Sequence, residues 1–124
     1  MRLLAIAAAA AIGGGAGCGP QPGVPGKPLP PPPGAIRVMI IDGQNNHDWK
    51  STTPVLKQIL EETGLFRVDV ATSPPAKGDI STFQPNFAGY RAIVSNYNGQ
   101  PWSDQTKAAF VEYVRNGGGF VAVH

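Results

Sequence analysis

A buried-strand pattern that runs into a polar loop, at residues 36–49, most constrains how this chain can fold. The first six residues, Ile-Arg-Val-Met-Ile-Ile, are mostly apolar and β-branched and show no strict alternation. This is typical of a strand covered on both faces in a parallel sheet. The next eight, Asp-Gly-Gln-Asn-Asn-His-Asp-Trp, are rich in hydrogen-bonding side chains. Because open α/β folds place binding sites at the carboxyl ends of their strands, the stretch predicts an α/β domain with a site after its first strand.

The amino-terminal segment has the pattern of an export signal. Arg2 is followed by ten consecutive apolar residues at 3–12, and small residues precede Cys18. A membrane-spanning helix needs about 20 apolar residues, so the short run predicts a signal peptide over residues 1–17. The pattern resembles a bacterial lipoprotein signal, which makes Cys18 the lipidated residue, although Gly15 stands where leucine is usual. An ordinary cleaved signal with an incidental cysteine is the alternative.

Residues 18–35 form a proline-rich tether. Eight prolines lie between Gly19 and Gly34, and such segments favour extended polyproline II and act as semi-rigid spacers. We therefore expect a lipid-anchored protein on the periplasmic or extracellular face of a bacterial membrane, which contacts that membrane through the lipid only.

The remaining residues, 36–124, have room for one small domain. The formal net charge of +2 and the lack of a basic run argue against a nucleic-acid partner. The single cysteine excludes an internal disulfide framework.

The hydrophobic pattern of this domain predicts alternating strands and helices. After the first strand, a helix is expected to start at residues 51–54 and to end at Gly64, and a second helix is expected to start at Ser103. Further strands are predicted at 66–71, 91–95 and 120–124, with an irregular segment at 73–89. The predicted buried stripes are Val55, Leu56, Ile59 and Leu60 in the first helix, and Phe110, Val111 and Val114 in the second.

This order predicts a flavodoxin-like parallel sheet with flanking helices. No helix follows the last strand to cover it, so either the domain is unusually minimal or the sequence is an amino-terminal fragment. We expect the fragment, with a domain that is incomplete at the carboxyl terminus.

The carboxyl ends of parallel strands meet at one edge of a sheet, so residues that follow different strands should converge there. The candidates follow the first strand (Asp42, Gly43, Asn45, His47, Trp49), the third strand (Asn96, Tyr97, Trp102) and the fourth strand (His124). His47 and His124 are the candidate catalytic acid/base groups, because an imidazole titrates near neutral pH. The others are candidate ligand-binding residues: Asp42 and Asn45 to orient hydroxyls, Trp49 and Trp102 as apolar walls.

Each candidate also has a purely structural interpretation. The Asp42-Gly43 pair is ordinary turn chemistry, the asparagines and His47 suit any loop, and the tryptophans can cover the sheet edge. Asn96 and Tyr97 can brace their loop, and His124 can be a buried histidine. Two histidines are too few to define a metal site, because a tetrahedral zinc site takes roughly three or four ligands. The cofactor therefore stays unknown, and further metal ligands would have to lie beyond residue 124.

Three motifs together resemble ThuA-like (trehalose-utilisation) domains. They are Asp-Gly-Gln-Asn-Asn-His-Asp-Trp after the first strand, Ser-Asn-Tyr-Asn-Gly-Gln-Pro-Trp after the third, and Gly-Gly-Gly-Phe-Val-Ala-Val-His at the end. The resemblance covers residues 36–124, the front of such a domain. It implies a class I glutamine amidotransferase-like fold, a link to carbohydrate metabolism, and a carbohydrate or other small polar ligand.

The resemblance does not extend to amidotransferase chemistry. True amidotransferases use a cysteine nucleophile activated by a histidine and an acidic residue, whereas the only cysteine of this sequence is Cys18 in the leader. Glutamine hydrolysis by a thiolate is therefore excluded, and whether the domain is an enzyme stays open. The alternatives to a carbohydrate-active domain are a non-catalytic sugar-binding or interaction module at the cell surface and a truncated remnant without autonomous function.

Overall fold

The computed structural model of the chain describes residues 33–123. Several predictions therefore concern residues outside this range: the signal peptide (1–17), the lipidated Cys18, the tether up to residue 32, and His124. The described part contains four strands and two helices: β1 Ile36–Asp42, α1 Trp49–Glu62, β2 Phe66–Thr72, β3 Ala92–Ser95, α2 Asp104–Arg115 and β4 Gly119–Ala122. Two short 3-10 turns, Ile80–Thr82 and Phe87–Gly89, lie between β2 and β3.

The strands form one parallel sheet in the order β2-β1-β3-β4. This confirms the predicted α/β class, and the order is that of flavodoxin-like sheets. β1 lies in the interior of the sheet and pairs along its whole length with β2, from Ile36 opposite Phe66 to Asp42 opposite Thr72. After β1 the chain adds β2 on one side of it and then β3 and β4 on the other side. The direction in which strands are added therefore reverses between β1 and β3. Ligands of such sheets bind at this switch point, beyond the carboxyl ends of the strands.

Each face of the sheet has its own hydrophobic core. On one face Val38, Ile40, Val68 and Val94 pack with Leu56 and Leu60 of α1. On the other face Met39, Ile41 and Ile93 pack with Phe83, Phe87 and Tyr113. Successive β1 residues are thus buried on opposite faces, and Ile40 and Ile41 are both fully buried. This explains the lack of alternation in the β1 sequence and confirms a strand covered on both sides.

Helix α1 begins earlier than predicted. Its N-cap is Asp48, whose carboxylate accepts hydrogen bonds from the Ser51 backbone N–H at 3.2 Å and the Ser51 hydroxyl at 2.6 Å. Aspartate is among the strongest N-cap residues, so the hydroxyl residues 51–53 lie inside the helix, as does Pro54. At the other end Gly64, with φ +69°, follows the helix in the left-handed conformation that favours glycine.

The predicted apolar stripes are only partly buried. Val55 and Ile59 are more than half exposed, and of the four stripe residues in α1 only Leu56 and Leu60 contact the core. In α2, Val111 and Val114 are exposed, whereas Thr106 and Tyr113 are buried and Phe110 packs against the core. The Thr106 hydroxyl donates a 2.7 Å hydrogen bond to the Phe83 carbonyl, which ties this side of α2 to the segment between β2 and β3.

The segment at 73–89, predicted to be irregular, contributes to the core. Its two 3-10 turns place Phe83 and Phe87 under α2. Neither helix in residues 33–123 is long and apolar enough to cross a membrane.

Candidate functional site

An open cleft of about 700 Å³ lies at the switch point of the sheet. Its walls come from the loops that follow β1, β2 and β3 and from the first residues of α1. The lining residues are Gly43, Gln44, Asn45, Asn46, Trp49, Lys50, Pro75, Ala76, Lys77, Asn98, Gly99 and Gln100. Three of the predicted ligand-binding residues, Gly43, Asn45 and Trp49, therefore line one cleft.

Gln44 holds the three loops of the cleft together. Its side-chain amide donates a 2.7 Å hydrogen bond to the Pro74 carbonyl in the loop after β2. Its side-chain oxygen accepts from the Gln100 backbone N–H at 3.0 Å, and its backbone carbonyl accepts from the Asn98 N–H at 2.8 Å. The sequence analysis missed this residue, although its position two residues after a buried strand could have indicated it.

Gly43 permits the closest approach between the loops after β1 and β2. Its φ of +112° disfavours any residue with a side chain. A Cβ atom placed there would lie 2.6 Å from the Ser73 backbone nitrogen and 2.5 Å from the Ser73 hydroxyl oxygen. The chain therefore requires glycine at this point of the cleft.

Asn96 braces the cleft from below. It is 4% exposed, and its amide donates to the hydroxyls of Thr52 and Thr53 at 3.0 and 3.1 Å, while its oxygen accepts from the Asn45 amide at 3.2 Å. These bonds tie the end of β3 to the loop after β1 and to the first turns of α1. The contacts match the bracing interpretation of Asn96, and its predicted role in ligand binding stays a prediction.

Asp42 is a buried carboxylate at the carboxyl end of β1. It is 2% exposed, and its Oδ1 atom has no hydrogen-bond partner among residues 33–123. Buried polar atoms of native proteins are nearly always paired, since an unpaired one carries a desolvation penalty. Asp42 directly precedes the cleft residue Gly43 in the chain but is not itself among the residues that line the cleft, so its predicted role in orienting ligand hydroxyls stays a prediction.

The structure separates the two tryptophans. Trp49 is half-buried at the cleft, and the Lys50 ammonium lies 5.7 Å from the centre of its ring. Trp102 instead packs against Phe83, Phe87 and Phe110 with ring centroids 5.6–6.1 Å apart, on the α2 side of the sheet. Trp102 is not among the residues that line the cleft, and its role as a ligand wall stays a prediction.

Tyr97 connects the loop after β3 to this aromatic cluster. Its ring lies 5.7 Å from that of Trp102, and its hydroxyl donates a 2.6 Å hydrogen bond to the Gln100 carbonyl. Burial raises the pKa of the Tyr97 hydroxyl, and the nearby Ser73 and Trp102 side chains offset part of that rise. The Trp102 indole N–H is buried and makes no well-aligned hydrogen bond within the described part of the chain.

Of the two candidate catalytic histidines, His47 lies in the described part of the chain and His124 outside it. His47 lies on the exposed loop between β1 and α1, next to the cleft residue Asn46. Its backbone N–H donates to the Asn45 side-chain oxygen at 3.0 Å, and its carbonyl accepts from the Trp49 N–H at 2.8 Å. Within residues 33–123 no three His, Cys, Asp or Glu side chains are grouped so that they could hold a metal ion.

A second cavity, of about 440 Å³, lies near the start of β3 and the turn that leads into β4. Tyr90, Arg91, Glu112 and Tyr113 contribute to its walls. None of the predicted site residues lines this cavity.

Comparison with known proteins identifies the family. The model of the ThuA family, described as trehalose utilisation, matches residues 37–124. The chain belongs to the ThuA family. The crystal structure of a ThuA-like protein from Parabacteroides merdae is similar to the chain, with a TM-score of 0.71 and 47% sequence identity. The match covers 73% of this chain and 32% of the Parabacteroides merdae protein, so the chain spans about a third of that relative's length. No curated protein matches the chain.

Proposed function

We propose that this ThuA domain binds a carbohydrate in the cleft at the carboxyl ends of β1 and β3. The observation that carries the proposal is the composition of the cleft. Five of its twelve lining residues are carboxamides (Gln44, Asn45, Asn46, Asn98 and Gln100), and one wall is the indole of Trp49.

Such a surface suits sugar hydroxyls. Each carboxamide offers two donors and an acceptor, and each sugar hydroxyl likewise donates one hydrogen bond and accepts others. Hydrogen bonds within the protein hold all five amides. Gln44 and Gln100 donate to the carbonyls of Pro74 and Gly78 at 2.7 and 3.2 Å, Asn45 donates to the Asn96 side chain at 3.2 Å, and Asn98 donates to the Asn46 side chain at 3.1 Å. Amides held in this way are preorganised for a ligand, while the Trp49 ring supplies an apolar surface with a polar edge.

The sequence contains two tryptophans, which allows a direct test by fluorescence. In a Trp102→Phe variant, emission comes from Trp49 alone. We expect saturable changes in Trp49 emission when a panel of mono- and disaccharides is titrated into this variant, and calorimetry on the unaltered chain should give matching affinities. Trp49→Ala should abolish binding while Trp102→Phe retains it. Equal binding by both variants, or no binding to any sugar, would contradict the proposal.

Catalysis is a further step of the proposal. His47 and His124 would serve as acid/base groups, with Asp42 and Asn45 to orient hydroxyls, in a hydrolytic or sugar-modifying reaction. His47→Ala and His124→Ala should then abolish turnover and affect binding less. Turnover is measured by chromatography of the reaction products. Heat of binding without product in the unaltered protein would favour the non-catalytic sugar-binding module.

We also propose that the protein is exported and carries a lipid on Cys18. The support is the run of apolar residues at 3–12, the small residues before Cys18 and the proline-rich tether. The intact mass of the protein extracted from bacterial membranes tests this proposal. A chain that starts at Cys18 with a lipid adduct is the expected result, and a Cys18→Ser variant should lose both the adduct and the membrane association.

A further inference from the structure

The positive charge of the cleft indicates which class of carbohydrate it binds. This inference rests on the proposed function. Two of the lining residues, Lys50 and Lys77, carry a charge, and no carboxylate is among them. The cleft therefore presents two positive charges on an otherwise neutral surface of amides and one indole.

The carboxylates closest in sequence are engaged elsewhere. Asp48 accepts two hydrogen bonds from Ser51, which hold the pKa of Asp48 below its usual range, with a smaller contribution from the charge of Lys50. Asp79 accepts from the backbone and the hydroxyl of Ser81. The buried Asp42 is not a lining residue. The three ion pairs found in residues 33–123 involve other cations, so neither cleft lysine is neutralised by a carboxylate within 4 Å.

The backbone at Lys77 provides an independent observation. Lys77 has a φ of +73°, and it is the one non-glycine residue with positive φ in the described part of the chain. A side chain at such a position is disfavoured by sterics, whereas glycine adopts it freely. Strained positions of this kind cluster at functional sites. The chain thus carries a lysine beside the cleft at a position where glycine would be less strained.

We infer that the ligand of this cleft is an anionic carbohydrate, one that bears a carboxylate or a phosphate beside its hydroxyls. Lys50 and Lys77 bind the anionic group, the carboxamides bind the hydroxyls, and the Trp49 ring packs against the ring of the sugar. Both lysines are exposed, so solvent weakens each contact, and loss of one charge corresponds to about a five-fold change in affinity.

The test compares neutral and anionic sugars that share the glucose ring. Glucose, glucuronate, the neutral methyl ester of glucuronate and glucose 6-phosphate are titrated into the full chain by calorimetry. We expect glucuronate or glucose 6-phosphate to bind at least ten-fold more tightly than the neutral sugars, and the preference between these two anions separates carboxylate from phosphate recognition. The advantage should shrink as salt rises from 0.1 to 1 M, since screening becomes stronger.

Variants identify the groups responsible. Lys50→Gln and Lys77→Gln should each weaken anion binding about five-fold and leave neutral sugars unaffected, whereas Lys107→Gln, on α2, should change neither. Lys77→Gly should raise the melting temperature and weaken anion binding together, opposite changes that a purely structural lysine would not produce. Equal affinity for glucuronate and its methyl ester, together with equal affinity for glucose 6-phosphate and glucose, overturns this inference and leaves the proposed function standing. Absence of binding to all four sugars overturns this inference, and absence of binding to the whole panel of mono- and disaccharides overturns the proposed function as well.

Discussion

At the scale of single residues, the cleft depends on backbone positions that tolerate few side chains. Gly43→Ala adds a Cβ atom within 2.6 Å of Ser73 backbone atoms at a φ of +112°. We expect a loss of about 2–3 kcal/mol in the free energy of unfolding, because steric overlap adds to the backbone strain. Gly64→Ala is the matched control: its φ is also positive, but nothing lies within 4 Å of the added atom, so about 1 kcal/mol should be lost. Equal losses in urea denaturation would contradict the close approach at Gly43.

The sequence predicts site residues only where a recognisable hydrophobic pattern precedes them. Asp42, Gly43, Asn45 and Trp49 directly follow a strand that the hydrophobic pattern identifies, so their place near the switch point could be predicted. Lys77 could not be, because it lies in a proline-containing loop without periodicity, and its role depends on a backbone conformation. Both tryptophans follow strands, so the sequence predicts the same role for both. Phe83 and Phe87, which pack against Trp102, lie in the segment between β2 and β3, where no periodicity indicates a core position.

At the scale of elements, Asn96 joins β3 to α1. Asn96→Ala removes the bonds to the Thr52 and Thr53 hydroxyls and leaves the buried Thr53 group without this partner. A loss of about 2 kcal/mol is expected, in the range for buried groups left unsatisfied. Asn98→Ala is the comparison, since Asn98 is exposed and bonds only to Asn46 through its side chain; its loss should stay below about 0.5 kcal/mol. Thermal or urea unfolding of the two variants tests this difference.

A second link between elements predicts how stability depends on pH. The Arg37 guanidinium bonds to the Asp69 carboxylate at 3.1 Å and lies 4.4 Å from the centre of the Tyr90 ring, and the Tyr90 hydroxyl also donates to Asp69. Burial alone would raise the pKa of Asp69, but the hydrogen bonds from Arg37 and Tyr90 and the positive charges of Arg37 and Arg67 together outweigh it and lower the pKa.

A carboxyl pKa that is lower in the folded state stabilises the fold above the ordinary pKa of 3.8, and this contribution is lost as the pH falls through the lowered pKa. Because the Arg37 and Asp69 side chains are 47% and 38% exposed, solvent limits the contribution to about 0.5 kcal/mol. Asp69→Asn should therefore destabilise the protein by about that amount at pH 6, and the difference should vanish near pH 2. A constant difference between the two pH values would show that Asp69 acts through packing instead of charge.

The prediction of elements from the sequence succeeded where the signals were local. The strand β1, the Ser103 cap of α2 and the glycine after α1 were all predicted correctly. The predicted start of α1 was wrong because Asp48, and not one of the hydroxyl residues that follow it, caps the helix. The stripes were wrong at Val55, Ile59, Val111 and Val114 because an apolar pattern identifies a helix but not which part of its apolar side contacts the sheet.

At the scale of the whole molecule, the strand order explains why the cleft forms where it does. Since β1 and β3 are neighbours and their following loops turn to opposite faces, a crevice must open between those loops. The pattern of strands and helices predicted this arrangement. The sequence could not indicate how much apolar surface would stay uncovered, which depends on packing between distant elements: Phe120 and Val121 of β4 are about half exposed, as are Val111 and Val114.

The exposed β4 surface leads to a prediction about association. Val121 is 53% exposed, whereas Val94, directly opposite on β3, is 9% exposed. Exposed, apolar edge strands promote association between chains. Val121→Thr should therefore reduce concentration-dependent association in sedimentation experiments and change the free energy of unfolding by less than about 0.5 kcal/mol. Val94→Thr, the same substitution one strand inward, should cost about 1–2 kcal/mol because it buries a hydroxyl. If Val121→Thr destabilised the protein as much as Val94→Thr, the β4 surface would be covered in solution, by a second copy or by another part of the polypeptide.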